Sequence, residues 1–356
     1  TYPEVLDAAC FAVVREGYTG GYGADGDHLK KESDIAEAIR LGFSMITLDC
    51  SDFIDTTAES LTIQVLKKRY TLIPSSVRRE YESVYRGVSF RAGNAEISFD
   101  TAELARCLIL YSGVIDYAEK IYTDHIRGAG RGVDFELSID ETSTPTTPEA
   151  HYLVAAELRR RGVEITSLAP RFCGEFQKGI DYRGSVDRFE REFAVHAAIA
   201  DEFGYRLSVH SGSDKFAVFP VIGELTEGRF HVKTAGTSWL EAVRLVARRN
   251  PELYRKVHAK AIASFSLARE YYHVSADPAS VAPLDSVADG DLPGYLDDDD
   301  ARQVLHITYG FILNGTAERT VDPLGREFLS AIDEDEDLYR DMLAAHIGKH
   351  LALLGK

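Results

Sequence analysis

Several short apolar runs in this chain end in polar side chains of the types that perform chemistry. Residues 206–216, RLSVHSGSDKF, begin like a buried strand, end that strand on His210 and continue into a polar loop. An imidazole is costly to bury unless it is paired, so a histidine at the end of a core strand is a candidate functional group. The same pattern recurs elsewhere in the chain, at Asp27, His28, Asp49, Asp140, Glu141, Arg171, Lys233 and His273.

Imidazoles from several segments, together with carboxylates, are typical ligands of zinc, nickel, cobalt, manganese or iron. A single histidine at a strand end is more often a hydrogen-bonded structural residue, so a metal site requires these segments to converge. His231 lies two residues before Lys233, and it can be either a ligand or a core residue. The histidines on helical patterns are interpreted as surface or packing residues: His125, His151, His196, His258, His346 and His350.

Cationic side chains near these segments favour a small anionic ligand, because carboxylate and phosphate groups bind arginine and lysine. Ordinary salt bridges are the alternative for each of them. The stretch 175–179, EFQKG, adds further polar groups. The candidates for binding a polar or anionic ligand are Arg171, Glu175, Gln177, Lys178, Asp214, Lys215 and Lys233.

The elements that must position these groups alternate between strand and helix, which predicts an α/β fold with a parallel sheet. We predict a TIM-like (β/α)8 barrel, in which functional groups lie at the carboxyl ends of the strands. The predicted strand segments are 17–28, 44–50, 134–141, 163–172, 205–212, 229–236 and 271–277. The predicted helical segments are 1–17, 34–42, 148–162, 189–204, 238–271, 301–313 and 326–355.

Two regions depart from the strand–helix alternation. Residues 51–133 are predicted to be an insertion at a βα connection, with helical stretches at 58–70 and 101–127 and a hairpin over 88–100 that turns at Gly93-Asn94. Residues 296–356 are predicted to be a C-terminal helical segment packed on the barrel, after an acidic linker around 291–300. The whole chain, 1–356, is predicted to form a single barrel domain.

Composition excludes several classes of function. The formal net charge is −17 and there is no Lys/Arg-rich run, which argues against nucleic acid and anionic membranes as partners. No apolar run approaches the length of a membrane-spanning helix, and no signal peptide is evident. The four cysteines are scattered singly, as expected of free thiols in a reducing compartment. We therefore predict a cytoplasmic protein, and the composition leaves a homo-oligomer open.

Long blocks distributed over the whole chain resemble the tagaturonate epimerase family. The blocks are GYGADGDHLK, MITLDCSD, SIDETSTPTTPEAHY, SLAPRFCGEFQKGIDY, LSVHSGSDKFAVFP, GRFHVKTAGTSWLEAVR, YYHVSAD, RQVLHITYG and HIGKHL. The resemblance implies an isomerase of hexuronate catabolism that depends on a divalent metal. It implies interconversion of D-tagaturonate and D-fructuronate by inversion at C4. Family members have an additional N-terminal region that would supply the first barrel strand, and nothing in this chain matches it.

The chemistry implied by the resemblance constrains the roles of the residues. C4 is not adjacent to the ketone, so the favoured route is retro-aldol cleavage of the C3–C4 bond and re-formation of that bond on the other face. A transient oxidation by a nicotinamide is the other route, and the chain lacks a dinucleotide-binding motif. We predict Asp27 as proton acceptor and Glu141 as proton donor, in either order. His28, His210 and His273, with His231 in reserve, are the predicted metal ligands, and Asp49 joins the predicted substrate-binding groups.

Two other functions remain open at this stage. A class II aldolase or a sugar isomerase can use the same type of metal site. Alternatively, the chain is an inactive, N-terminally truncated fragment that binds a sugar acid. Free three-carbon products favour the aldolase, and ligand-induced stabilisation without turnover favours the fragment.

Overall fold

The structure, a computed structural model, describes residues 1–234, 236–314 and 322–356. The chain divides into two compact units. The first comprises 1–173, 187–209 and 229–231, and the second comprises 174–186, 210–228 and 232–356. Residue 235, in the predicted strand segment 229–236, lies outside the described residues. Residues 315–321, in the predicted C-terminal segment 296–356, also lie outside them.

The first unit is built on a six-stranded sheet with strand order β1-β2-β5-β6-β7-β8, and a separate hairpin pairs β3 with β4. The registered pairs of the large sheet are all parallel. This parallel half-barrel confirms the α/β prediction, whereas closure into eight strands stays a prediction. The strands are β1 (Asp25–Leu29), β2 (Met45–Asp49), β3 (Ser89–Ala92), β4 (Ala95–Ser98), β5 (Asp134–Ser138), β6 (Ser167–Ala169), β7 (Arg206–Val209) and β8 (Phe230–Val232).

Strand β5 shows how the sequence builds this sheet. Phe135 and Leu137 point to one face, Glu136 and Ser138 point to the other, and all four are buried. Strands that are covered on both faces are typical of parallel sheets. One face of this strand is therefore apolar, and the other carries polar groups into the protein interior.

Fourteen α-helices lie in the described residues. Local signals predicted several of their ends: α2 stops at Gly42, which has a φ of 103°, and α6 begins at Pro148. The helices are α1 (Tyr2–Arg15), α2 (Glu32–Leu41), α3 (Ile63–Tyr70), α4 (Ser75–Tyr85), α5 (Thr101–Ile121), α6 (Pro148–Arg160), α7 (Val186–Phe203), α8 (Phe219–Leu225), α9 (Thr237–Arg249), α10 (Pro251–Ala268), α11 (Asp299–Ile307), α12 (Tyr309–Asn314), α13 (Pro323–Glu334) and α14 (Glu336–Leu353).

The predicted insertion 51–133 has the expected elements. Strands β3 and β4 pair antiparallel around Gly93-Asn94, and Gly93 has a φ of 55°. Helix α5 follows, with the Asp100 side chain accepting hydrogen bonds from the Ala102 and Glu103 amides. The hairpin prediction and the long helix after it are confirmed.

Three predictions about elements were wrong. Residues 271–277 form no strand, because an extended run becomes a strand only where another strand pairs with it. The predicted helix 238–271 is two helices, α9 and α10, because Asn250 caps the second and Pro251 starts it. The acidic stretch 291–300 is not a solvated linker: it contains a 3-10 helix whose Leu292 and Leu296 are fully buried.

A chain of hydrogen bonds between fully buried side chains crosses the core of the first unit. The Tyr205 hydroxyl lies 2.5 Å from His151 Nε2, and His151 Nδ1 lies 2.8 Å from His196 Nδ1. His196 in turn bonds to the backbone of Thr146. Burial lowers the pKa of His151 well below its usual 6.5, and it lowers that of His196 to about 4. Both imidazoles are therefore neutral at physiological pH, and they are core residues rather than surface residues.

All four cysteines lie in the described part of the chain and are free thiols, as predicted. Within the described ranges, no helix is long and apolar enough to cross a membrane. The cytoplasmic location and the oligomeric state stay predictions.

Candidate active site

Each of the six strands of the large sheet contributes a polar side chain to one hydrogen-bonded row. The Glu136 carboxylate is at its centre, 2.5 Å from Ser167 Oγ and 2.6 Å from His231 Nδ1. The Thr47 hydroxyl lies 2.9 Å from Asp25 and 3.3 Å from Glu136, and Ser208 Oγ lies 3.2 Å from His231 Nδ1. We call this set the polar row: Asp25, Thr47, Glu136, Ser167, Ser208 and His231.

Glu136 is the functional candidate that sequence reasoning missed. The search concentrated on strand ends and selected Asp140 and Glu141, whereas Glu136 lies in the middle of β5 and is fully buried. The available signal was a charged residue alternating with Phe135 and Leu137 in an apolar strand. Such a residue must point to an interior that carries other polar groups.

His231 has the arrangement typical of a metal-binding histidine. A carboxylate that accepts a hydrogen bond from Nδ1 fixes the tautomer and presents the lone pair of Nε2. Glu136 holds Nδ1 of His231 in this way, at 2.6 Å. The donor set of the first unit therefore fits a divalent transition metal at this imidazole.

His28 has the same arrangement with a different carboxylate. Its Nδ1 lies 3.4 Å from Asp49 Oδ2, and its Nε2 lies 4.0 Å from Asp27 Oδ1. His28 has a φ of 52°, a left-handed conformation that costs free energy outside glycine and occurs often at functional sites. The structure thus brings together Asp27, His28 and Asp49, as expected of residues at adjacent strand ends.

Asp49 is an orienting group in this arrangement. Its side chain is nearly buried, and it also accepts a hydrogen bond from the Ser51 amide and faces Lys30 Nζ at 3.9 Å. Burial alone raises the pKa of Asp49, but the bonds from His28 and Ser51 and the Lys30 charge together hold it well below its usual range. Asp49 is therefore an anion that holds His28, in addition to any contact with substrate.

In the second unit, Gln177 is buried and its amide is used within the protein. The oxygen accepts hydrogen bonds from Ser275 and from Gln303 Nε2, and the nitrogen donates to Glu175 at 2.7 Å. His273 Nε2 lies 4.0 Å from the same Glu175, but the His273 side chain is 87% exposed. A ligand this open to water, on a segment with no strand, is weakly positioned for a metal.

Lys215, predicted to contact substrate, is fully buried. Its ammonium donates to three backbone carbonyls, those of Gln177 at 2.8 Å, Ile180 at 2.6 Å and Ser213 at 2.8 Å. Burial lowers the pKa of Lys215 to about 7. Because all three donor positions of the ammonium are used, the geometry argues against a substrate contact and for a structural role.

Asp214, a second predicted substrate contact, is also buried. Its Oδ2 accepts from Arg302 at 2.6 Å, and its Oδ1 accepts from His346 Nε2 at 2.5 Å. The Asp214 amide donates to His350 Nε2 at 3.1 Å. Burial raises the pKa of Asp214, but His346 and Arg302 outweigh burial and lower it. The sequence analysis assigned His346 and His350 to packing and did not foresee this cluster.

Among the described residues, Asp214, His346 and His350 also form a group whose ligand atoms lie within 4.8 Å of one another, so they can in principle hold a metal ion. Here each of these atoms already has a hydrogen-bond partner. Arg302 supplies positive charge to the same carboxylate, as a bound cation would. The group is therefore balanced without a metal.

The remaining predicted residues lie in loops near strand ends. Arg171 follows β6, and its guanidinium donates to the Thr142 carbonyl in the loop after β5. Glu141 is exposed in that loop. In the second unit, the Lys233 carbonyl accepts from the Gly212 amide at 2.9 Å, beside His210, and the Lys178 carbonyl accepts from Gln303. Their roles toward substrate or metal stay predictions.

Comparisons with known proteins agree on one family. The sequence profile of the family described as tagaturonate epimerase matches residues 1–354. The "Tagaturonate/fructuronate epimerase" of Thermotoga maritima is 41% identical over 356 residues, which span 99% of this chain and 72% of that protein.

Solved structures give the same result. The native crystal structure of the fructuronate-tagaturonate epimerase UxaE from Cohnella laeviribosi superposes with a TM-score of 0.96 at 54% identity. It covers 98% of this chain and 71% of that one. The structure of the same protein with one glycerol bound gives the same values.

Proposed function

Because this chain belongs to the tagaturonate epimerase family, we propose that it interconverts D-tagaturonate and D-fructuronate by inverting C4. The observation that carries the proposal is the match over residues 1–354, together with 54% identity to a solved epimerase of the same fold. The chain is thus an epimerase of the isomerase class. The half-barrel of the first unit supports the predicted (β/α)8 architecture.

We infer that inversion proceeds by retro-aldol cleavage. A base removes the C4 hydroxyl proton, the C3–C4 bond breaks, and its electron pair enters an enediolate that spans C2 and C3. The C4 carbon becomes an aldehyde, turns over, and accepts the electron pair back on its other face. The second group then returns a proton to the C4 oxygen. No external oxidant or reductant is required.

A divalent cation, when bound, supplies a Lewis acid that stabilises the enediolate oxygen. His28 and His231 are our preferred ligands, because a carboxylate holds the Nδ1 of each. His210 and His273 remain predicted ligands, and His273 is the weaker of the two because its side chain is exposed. Asp27, 4.0 Å from His28 Nε2, remains the proposed proton acceptor.

Two carboxylates compete for the role of proton donor. Glu141 is the predicted group, and it is exposed. Glu136 is buried and hydrogen-bonded to His231, a geometry that holds a proton-transfer group in one orientation. We propose Glu136 as the stronger candidate. Glu136→Gln should then reduce kcat by 100-fold or more, on the order expected for loss of a general acid, whereas Glu141→Gln should change it little.

The decisive experiment follows D-fructuronate by NMR in D2O with purified protein, with and without a chelator. Tagaturonate that forms only with metal, and that retains protium at C4, supports metal dependence and carbon–carbon cleavage together. Deuterium at C4 would contradict the retro-aldol route. Free three-carbon products would indicate an aldolase, and ligand-induced stabilisation without turnover would indicate a binding protein. An Asp27→Asn variant with full turnover would exclude Asp27 as the base.

A further inference from the structure

We propose that Asp214, His346 and His350 are positioning residues that hold the loop after His210 in its working conformation. The inference rests on the proposed function, in which His210 is a predicted metal ligand. It assigns a role in catalysis to the C-terminal helix α14, which carries both histidines.

The loop needs external support because its backbone is strained. Ser211 has a φ of 51° and Asp214 a φ of 60°, and neither residue is a glycine. Left-handed conformations of this kind persist when the surrounding structure over-determines them, and they occur often at functional sites. The support must therefore come from contacts that the loop makes with other elements.

Asp214 receives that support from two helices. Arg302 on α11 donates to Oδ2 at 2.6 Å and also to the Gly179 and Leu296 carbonyls, so its guanidinium is fixed. His346 on α14 donates to Oδ1 at 2.5 Å. Together these bonds hold the carboxylate at both oxygens.

His350 supports the backbone of the same residue. Its Nδ1 donates to the His346 carbonyl at 2.9 Å, which leaves Nε2 as the acceptor for the Asp214 amide at 3.1 Å. The Phe216 ring then packs against the His350 ring, with ring centroids 4.9 Å apart. The imidazole thus fixes the amide of the strained residue and one face of the loop.

The test compares two substitutions at one position with a matched control. His346→Leu removes the bond to Asp214 and keeps an apolar side chain, whereas His346→Gln retains an N–H donor. His258→Leu is the control, because His258 is a buried histidine of the same unit and bonds to Tyr254 on its own helix. Each protein is stripped of metal and titrated with Co²⁺, whose visible absorption reports coordination by histidine, and kcat and KM are then measured.

We expect His346→Leu to lower kcat or weaken Co²⁺ binding by roughly 10- to 100-fold, as for residues that orient metal ligands. His346→Gln should recover most of this loss, and His258→Leu should lower Tm without it. Equal activity and Co²⁺ affinity in His346→Leu and His258→Leu would overturn the proposal. A second Co²⁺ equivalent that disappears in His346→Leu would also overturn it, because the cluster would then be a metal site. Wild-type protein that neither binds Co²⁺ nor turns over would instead refute the proposed function.

Discussion

Acidification should destabilise this protein in a range where few carboxylates titrate, and His196 should account for a measurable share. Its pKa falls from 6.5 to about 4 on folding, because burial disfavours the imidazolium. Between these values the unfolded chain binds a proton that the folded protein does not. The stability present above pH 6.5 is therefore lost as the pH falls toward 4. The loss is about 3 kcal/mol, from roughly 2.5 pKa units at 1.36 kcal/mol each.

The substitution His196→Asn removes the titrating group and leaves an oxygen that can accept from His151. The free energy of unfolding of both proteins is measured by urea denaturation at several pH values between about 4.5 and 7.5, at constant ionic strength. The variant should be less stable at neutral pH, because the bond to Thr146 is lost. Its stability should fall less steeply with acidification, by up to about 1.4 kcal/mol per pH unit.

Parallel stability curves for wild type and variant would refute this reasoning, because they would show that His196 takes up no proton on unfolding. A variant that loses stability more steeply than wild type would refute it as well. Circular dichroism and fluorescence must report coincident transitions for the free energies to be comparable.

Three further substitutions test packing and hydrogen bonds, each by urea denaturation against wild type. Gly236→Ala should cost roughly 1–3 kcal/mol by overpacking, because the new Cβ would lie 1.8 Å from His306 Nε2; an unchanged midpoint would contradict that contact. Lys215→Met should cost at least about 2 kcal/mol, because buried carbonyls lose their donor; a neutral result would mean that water replaces it. Tyr85→Phe should cost about 1.5–3 kcal/mol through loss of the 2.7 Å bond to Glu157, and a stabilised variant would contradict this.

Sequence reasoning succeeded where local chemistry determines structure. The turn at Gly93-Asn94 and the helix stop at Gly42 follow from residues that tolerate positive φ, and the structure has both. Apolar runs that pair with neighbouring strands were also found. It failed for 271–277, since an extended segment needs a partner strand, and pairing is not encoded in the segment itself.

The candidate site divides in the same way. His28 and Asp49 were identified because the carboxyl ends of parallel strands meet at one edge. Glu136 was missed because its function depends on the inward face of a mid-strand position. The bond between His346 and Asp214 joins residues 132 positions apart in sequence, so no local pattern announces it.

The ammonium of Lys215 ties together carbonyls from segments 35 and 38 residues apart in sequence, so the two loops behave as one mechanical piece. Efforts to alter sugar preference by lengthening or shortening either loop would first have to break that joint. Variation at Glu175, whose side chain is about half exposed, would leave the joint intact and offers a safer starting point for engineering.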